Sequence, residues 1–171
     1  MPTVESSVVK TYRDGTQTIE DGAGTPLSYD IAYEDGDFSV DVDKAGRTVI
    51  YDRGAIVGLR KGNDPVNAFS ITVDMRQFTD ADDSTIVDIC EQPPTGAWSA
   101  ATSVAGKEYE FFLVKCTFTV KGVDNGDSAD HKLIMDKVLL NWSFKEGDRN
   151  KITIKGEVYG AITRTGAGPT A

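Results

Sequence analysis

Apolar and polar residues alternate in short runs along most of the chain, the period of two that marks half-buried β-strands. Alternation begins at Ser28–Tyr33, where Tyr29, Ile31 and Tyr33 share a face, and Asp35-Gly36 then signals a tight turn. In the next run Phe38, Val40 and Val42 point one way while Asp37, Ser39, Asp41 and Asp43 point the other. Lys44–Arg47 turns the chain into short strands at Thr48–Tyr51 and Ala55–Arg60, and Gly62-Asn63-Asp64-Pro65 forms a loop. Ala68–Phe78 is a long strand with Phe69, Ile71, Val73 and Met75 on one face. Three more strands follow, Glu108–Lys121, Lys132–Lys145 and Lys151–Tyr159, joined by hairpin turns at Val123–Asp127 and Glu146–Asn150.

One segment departs from this period. Between Asp80 and Gln92, Ile86, Val87, Ile89 and Cys90 recur at helical spacing. Thr79 or Asp80 is suited to cap this helix, Asp82 and Asp83 to its positive end, and Pro93-Pro94 to stop it. Residues 93–108 form a polar loop holding a single large apolar side chain, Trp98. Residues 1–26 lack a sustained period and read as an extended arm with a short strand at Val8–Tyr12, and the Gly- and Thr-rich tail 161–171 is expected to fray. The domain so delimited, 27–160, is all-β with one short helix: about eight strands in an antiparallel sandwich or partly closed barrel. Its edges need to be paired, covered or charged, above all the long proline-free strand Ala68–Phe78.

Composition fits one globular domain: 171 residues with 39% apolar and 26% charged side chains. The 17 glycines, many in Asp-Gly or Asn-Gly pairs, add to the turn signals. The net charge of −9 disfavours gripping nucleic acid by counterion release, and it keeps free subunits apart in solution. Cys90 and Cys116 match no zinc or redox spacing, and Cys116 in its apolar run reads as a buried thiol, with a disulfide as the alternative. The N-terminus has neither a basic stretch nor an apolar signal core, and the longest apolar runs are too short for a membrane span. A soluble protein made in the cytosol is expected.

Candidate chemistry is sparse. The one histidine, His131, follows Asp127, Ser128 and Asp130 in a single hairpin loop, whereas a catalytic triad converges from distant segments, so a solvated turn histidine is expected. Asp80, Asp82, Ser84, Asp88 and Glu91 fall at positions 1, 3, 5, 9 and 12 of an EF-hand-like loop, but Thr85 stands where the sharp turn needs glycine. A capped acidic helix explains the same residues. Strand alternation likewise accounts for Asp41, Asp43 and Asp52. No nucleotide, CxxC or zincin motif is present, and no catalytic, cofactor or metal site is expected.

The stretch Thr48–Val66, with its Asp52-Arg53-Gly54 turn and its Gly62-Asn63-Asp64-Pro65 loop before a long alternating strand, resembles major tail tube proteins of long-tailed (siphovirus-type) bacteriophages. The likeness extends in order and kind of element over most of 27–160. It implies a β-sandwich that joins a ring, commonly of six subunits, whose strands line a continuous inner barrel. Stacked rings would form a tube in the virion tail, assembled in the host cytoplasm, through which DNA passes without specific binding. The implied partners are copies of the chain itself and tape-measure, tail terminator and tail tip proteins, with no membrane. By matching element, residues 1–26 and the loop Asp52–Val66 reach between subunits or rings, through Arg53, Gly54, Arg60, Asp64 and Pro65. Asp37, Asp41 and Asp43 either line the channel or belong to an ordinary solvent-facing strand. Trp98 either anchors an interface or folds back on its own core. The tube of a bacterial secretion or contractile injection system and an extracellular β-sandwich binding module are the alternative readings.

Overall fold

The computed structural model describes residues 15–32, 37–75, 77–78, 85–92, 95–104, 110–122, 127–147 and 149–166. The strand expected at Val8–Tyr12, the Asp35-Gly36 turn, the Thr79 or Asp80 cap and the Pro93-Pro94 stop lie outside them. The described residues form ten strands: β1 Thr16–Glu20, β2 Ser28–Ala32, β3 Asp37–Asp41, β4 Arg47–Asp52, β5 Ala55–Lys61, β6 Asn67–Asp74, β7 Val114–Val120, β8 His131–Lys145, β9 Lys151–Val158 and β10 Ile162–Thr165. Helix α1 spans Ile86–Glu91, and a 3-10 turn spans Ala97–Ala100. Eight strands make one antiparallel sheet in the order β2-β1-β7-β8-β9-β6-β3, with β10 also on β8, while among the described residues β4 and β5 pair only with each other.

The long strand β8 organises the sheet. Its first half, from His131 to Val138, pairs with β7 on one edge. Its second half, from Val138 to Lys145, pairs with β9 on the other edge, and β10 continues along that edge at Lys132–Met135. Between the two, Lys137 adopts a left-handed conformation (φ 53°) and the strand kinks. The β9–β10 junction follows this kink through hydrogen bonds from the Tyr159 and Gly160 amides to the Lys137 and Asp136 carbonyls, each 3.0 Å. A Cβ on Gly160 would stand 2.5 Å from the Asp136 carbonyl oxygen, so the approach needs glycine. The sheet thereby folds over. Phe38 of β3 stacks on Phe118 of β7 at 4.0 Å between ring centroids, although three strands separate β7 from β3 along the ladder. The result is an open sandwich, not a closed barrel: among the described residues β2 and β3 have no second ladder partner.

The core between the leaves takes the faces that alternation assigns to it. Ile19, Phe69, Ile71, Cys116, Met135, Val138, Ile152, Ile154 and Val158 are all at most 3% exposed. Helix α1 adds Ile86, Val87 and Ile89, and is capped by Thr85 rather than by the residues expected from sequence. The Thr85 amide donates to the Asp88 carboxylate at 2.9 Å while the Asp88 amide donates back to Thr85 Oγ1, a reciprocal capping box. Asp88 is thus committed to the helix start and not to a calcium loop.

Four boundaries differ from the sequence reading. Part of the supposed N-terminal arm is β1, held between β2 and β7 with Gln17 and Ile19 buried. Part of the supposed fraying tail is β10. Strand β6 is shorter than expected and lies inside the sheet between β9 and β3, so its edges are already satisfied. Strand β7 begins only at Val114.

The Asp21-Gly22 turn is tied down by a buried carboxylate. Asp21 accepts the Leu27 amide at 2.8 Å and the Ala23 amide at 3.3 Å on Oδ1, and the Thr102 amide at 2.9 Å on Oδ2, joining the β1–β2 turn to the loop behind Trp98. Asp21→Ala strands these partly buried amides and is expected to cost about 2 kcal/mol of stability, read as a lower denaturant midpoint at unchanged slope.

Candidate assembly surface

The β3–β6 pair runs on beyond the sheet as a second ribbon. Asp41 pairs with Ala68 at its base, so the chain is back in register 27 residues later. The connecting stretches meet at Gly46 and Gly62, where the Gly62 amide donates to the Gly46 carbonyl and the Gly46 amide to Asn63. Beyond them β4 and β5 form a two-stranded hairpin about 20 Å long. Its tip is Arg53-Gly54, with φ of 47° and 84°, the signature of the type I′ turn that matches the twist of a hairpin. Gly54 is suited to the second of these positions.

This hairpin has no face turned to the core. Tyr51, Ile56, Val57 and Leu59 are each at least 60% exposed, Ile50 is 46% exposed, and Val42 and Val66 at its root are more than half exposed. The cross-strand pairs Val49–Leu59 and Tyr51–Ile56 gather four apolar side chains on one face, and Ile50 lies over Gly58 on the other. An isolated two-stranded hairpin is marginal in water, and its outer edges are open to further pairing. A ribbon apolar on both faces is a surface built to be covered.

Its charge is opposite to that of the rest of the chain. Residues 42–66 hold five cations (Lys44, Arg47, Arg53, Arg60 and Lys61) and three anions (Asp43, Asp52 and Asp64), a net +2. The whole chain carries −9, so the remainder carries −11. Asp64 is bound to Lys61 of its own chain at 2.6 Å, both exposed.

The structure gathers Arg53, Gly54, Arg60 and Asp64 on the exposed hairpin and its root, with Pro65 half-buried beside them. It does not bring Trp98 there. The indole is 3% exposed inside the core cluster, so of its two readings the inward one describes this conformation. Burying so large a ring against its own sheet removes it from any surface a neighbour could reach. Asp37 and Asp41 stand on the exposed face of β3 while Phe38 and Val40 pack inward. Val42, expected on the same inner face, is exposed because β3 ends at Asp41, and the Asp43 amide instead donates to the Asn67 side chain. The apolar residues Tyr51, Ile56 and Leu59 were not singled out by sequence. Their signal was an apolar run without alternation in a segment flanked by turns, which reads equally as a buried strand.

The candidate chemical groups take structural roles. His131 is not a solvated turn residue: it opens β8, half-buried, with Nε2 2.6 Å from the buried Asp127 carboxylate. Both cysteines are free; burial pushes the Cys90 thiol up to about 12 and the Cys116 thiol higher still, well away from the reactive thiolate. Among the described residues no group of three or more His, Cys, Asp or Glu is placed to hold a metal, and no helix is long and apolar enough to cross a membrane.

No family model and no curated protein matches the chain. A solved structure does: a chain of the anti-feeding prophage (AFP) baseplate, determined by cryo-EM and six-fold symmetrised, aligns over 95% of this chain and 98% of its own with a TM-score of 0.56 and 10% identity. The two chains share a fold. The likeness is thus to a component of a prophage baseplate, and it does not single out the tail tube of long-tailed phages.

Because the hairpin adds nothing to the core, its removal should leave the domain intact. Replacing residues 47–61 by an Asn-Gly turn between Gly46 and Gly62 is expected to shift the thermal midpoint by no more than a few degrees, checked by circular dichroism melting.

Proposed function

We propose that this chain is a non-catalytic structural subunit of a phage-tail-like or contractile injection assembly, and that it joins copies of itself into rings through the β4–β5 hairpin. The observation that carries this reading is the hairpin: a projecting ribbon, apolar on both faces, paired with no other strand among the described residues and largely exposed. The shared fold supports the setting, since the matching chain comes from a six-fold symmetrised prophage baseplate. That match favours the contractile injection branch over the siphovirus tail tube first suggested by Thr48–Val66. In this reading the ring is hexameric and stacks into, or onto, a tube. Its further partners are the tail proteins above and below it, and it resides in the assembled particle.

The hairpin side chains supply the energy. Covering one Ile or Leu side chain contributes about 1.5–3 kcal/mol, so several together can outweigh the loss of freedom on association. Negative-stain electron microscopy with light scattering across concentration is expected to show rings or short tubes for the natural chain. Ile56→Asp with Leu59→Asp should leave the melting curve unchanged and yield monomers only; normal rings from that variant would sink the assignment.

Asp37 and Asp41 on the outer face of β3, with Asp43 just beyond, are proposed to line the channel, where negative charge keeps a passing polyanion from adhering. Assembled wild-type particles should not retain duplex DNA at physiological salt. Particles carrying Asp37→Lys and Asp41→Lys should retain it in a filter-retention assay, and equal, negligible retention by both would place these residues outside the lumen.

A further inference from the structure

A second apolar surface lies at the other end of the leaf from the hairpin. The ladder fixes its place: Asp74, at the end of β6 remote from the hairpin root, pairs with Lys151, and Lys151 with Lys145 at the end of β8. Phe144 is the last apolar residue of β8, and Phe78 lies just past β6. Their rings meet edge to face, 5.1 Å apart. Along the core face of β8, burial fades toward this end: Val138 is fully buried, Leu140 is 7% exposed, Trp142 is half-buried with its indole N–H on Glu91 of α1, and Phe144 is 38% exposed. Phe78 is 50% exposed. The core thus runs past the helix that covers it and ends in an open aromatic pair.

The hairpin root at Asp41–Ala68 and this pair are separated by the length of β6, about 25 Å. One chain therefore presents a projecting apolar ribbon at one end and an open aromatic seat at the other, and the two cannot meet within the same molecule. A surface that is not self-complementary associates head to tail, and needs two different patches on every copy. We propose that the Phe78–Phe144 pair is the seat that receives the β4–β5 hairpin of a second copy of this chain. The inference rests on the reading of the hairpin as the assembly arm and adds the surface it docks on. Charge supports a second copy as the occupant at long range: the ribbon carries net +2 and the rest of the chain −11, which favours encounter with another copy over contact between two bodies or two ribbons, while at the seat itself the cations Lys145 and Lys151 stand beside the anions Asp74 and Glu146. Tyr51, Ile56 and Leu59 would supply the side chains that close the seat, aromatic and aliphatic groups suited to an edge-to-face phenylalanine pair.

A complementation experiment tests this. One variant, Phe78→Ser with Phe144→Ser, lacks the seat, and the other, Ile56→Asp with Leu59→Asp, lacks the ribbon. In sedimentation velocity each alone is expected to be monomeric, with a Kd for self-association raised at least tenfold over the natural chain. Their equimolar mixture should form a one-to-one dimer and nothing larger, because one intact ribbon and one intact seat remain. Phe78→Ser alone, outside every strand, serves as the variant that leaves folding untouched and should also raise the Kd. If the seat variants assemble as the natural chain does, or the mixture stays monomeric, the seat is elsewhere and only this inference falls. If the ribbon variant assembles normally, the assembly-arm reading falls and this inference with it.

Discussion

The sandwich depends on a single strand serving two leaves. Fifteen residues of β8 form a ladder with β7 along one half and with β9 along the other, and a flat strand could not do both and still close a core. The left-handed Lys137 resolves the conflict by kinking the strand where the partners change. Everything downstream follows that bend. The β9–β10 junction tracks it on the far edge, the β6–β3 pair is swung round until Phe38 lies on Phe118, and α1 covers the second half of β8 as far as Trp142. Along the core face of β8, burial consequently falls off toward the Phe144 end.

The same arrangement explains why the hairpin projects. Strands β3 and β6 are held in register inside the sheet only from Asp37–Thr72 to Asp41–Ala68. Their connection is far longer than a turn requires, and it pairs with itself beyond the last residue that the core can cover. Its stability comes from the type I′ tip, the Gly46–Gly62 closure and a few cross-strand pairs, not from burial. A segment of this kind sits at the low-stability end of a domain. It is also the place where an assembly can take up binding energy without disturbing the fold.

Much of the sandwich was legible in the sequence because half-buried strands advertise themselves by alternation. Phe69 and Ile71 in β6 and Ile152 and Ile154 in β9 point where their period says. The turns at Asp21-Gly22 and Arg53-Gly54 also fall where their residues demand. What was not legible depended on long-range pairing. Thr16–Glu20 and Ile162–Thr165 carry too little apolar pattern to announce strands, and became strands because β7 and β8 offered them open edges. The start of α1 was hidden because several residues before Ile86 could have capped it, and only the reciprocal bonds between Thr85 and Asp88 select one. The candidate surface was half legible: charged and turn residues marked the hairpin, but an apolar run such as Ala55–Leu59 looks the same whether it is buried or presented.

Presentation of that run raises a problem that the charge distribution addresses. A free edge strand rich in Ile, Val and Leu invites indiscriminate pairing. In this hairpin Arg47 and Lys61 face each other across the root, Thr48 and Arg60 form the next pair, and Arg53 stands at the tip. Two ribbons brought side by side in parallel therefore oppose like charges at the root, whereas a ribbon brought to an acidic body does not. In the proposed assembly the −11 of the body would repel other bodies at long range and draw in the ribbon, so specificity would come from what is repelled as much as from what is attracted. The apolar side chains then act only at contact. In the proposed assembly the acidic composition, which disfavours gripping nucleic acid, would also hold free copies apart until a correctly oriented one arrives.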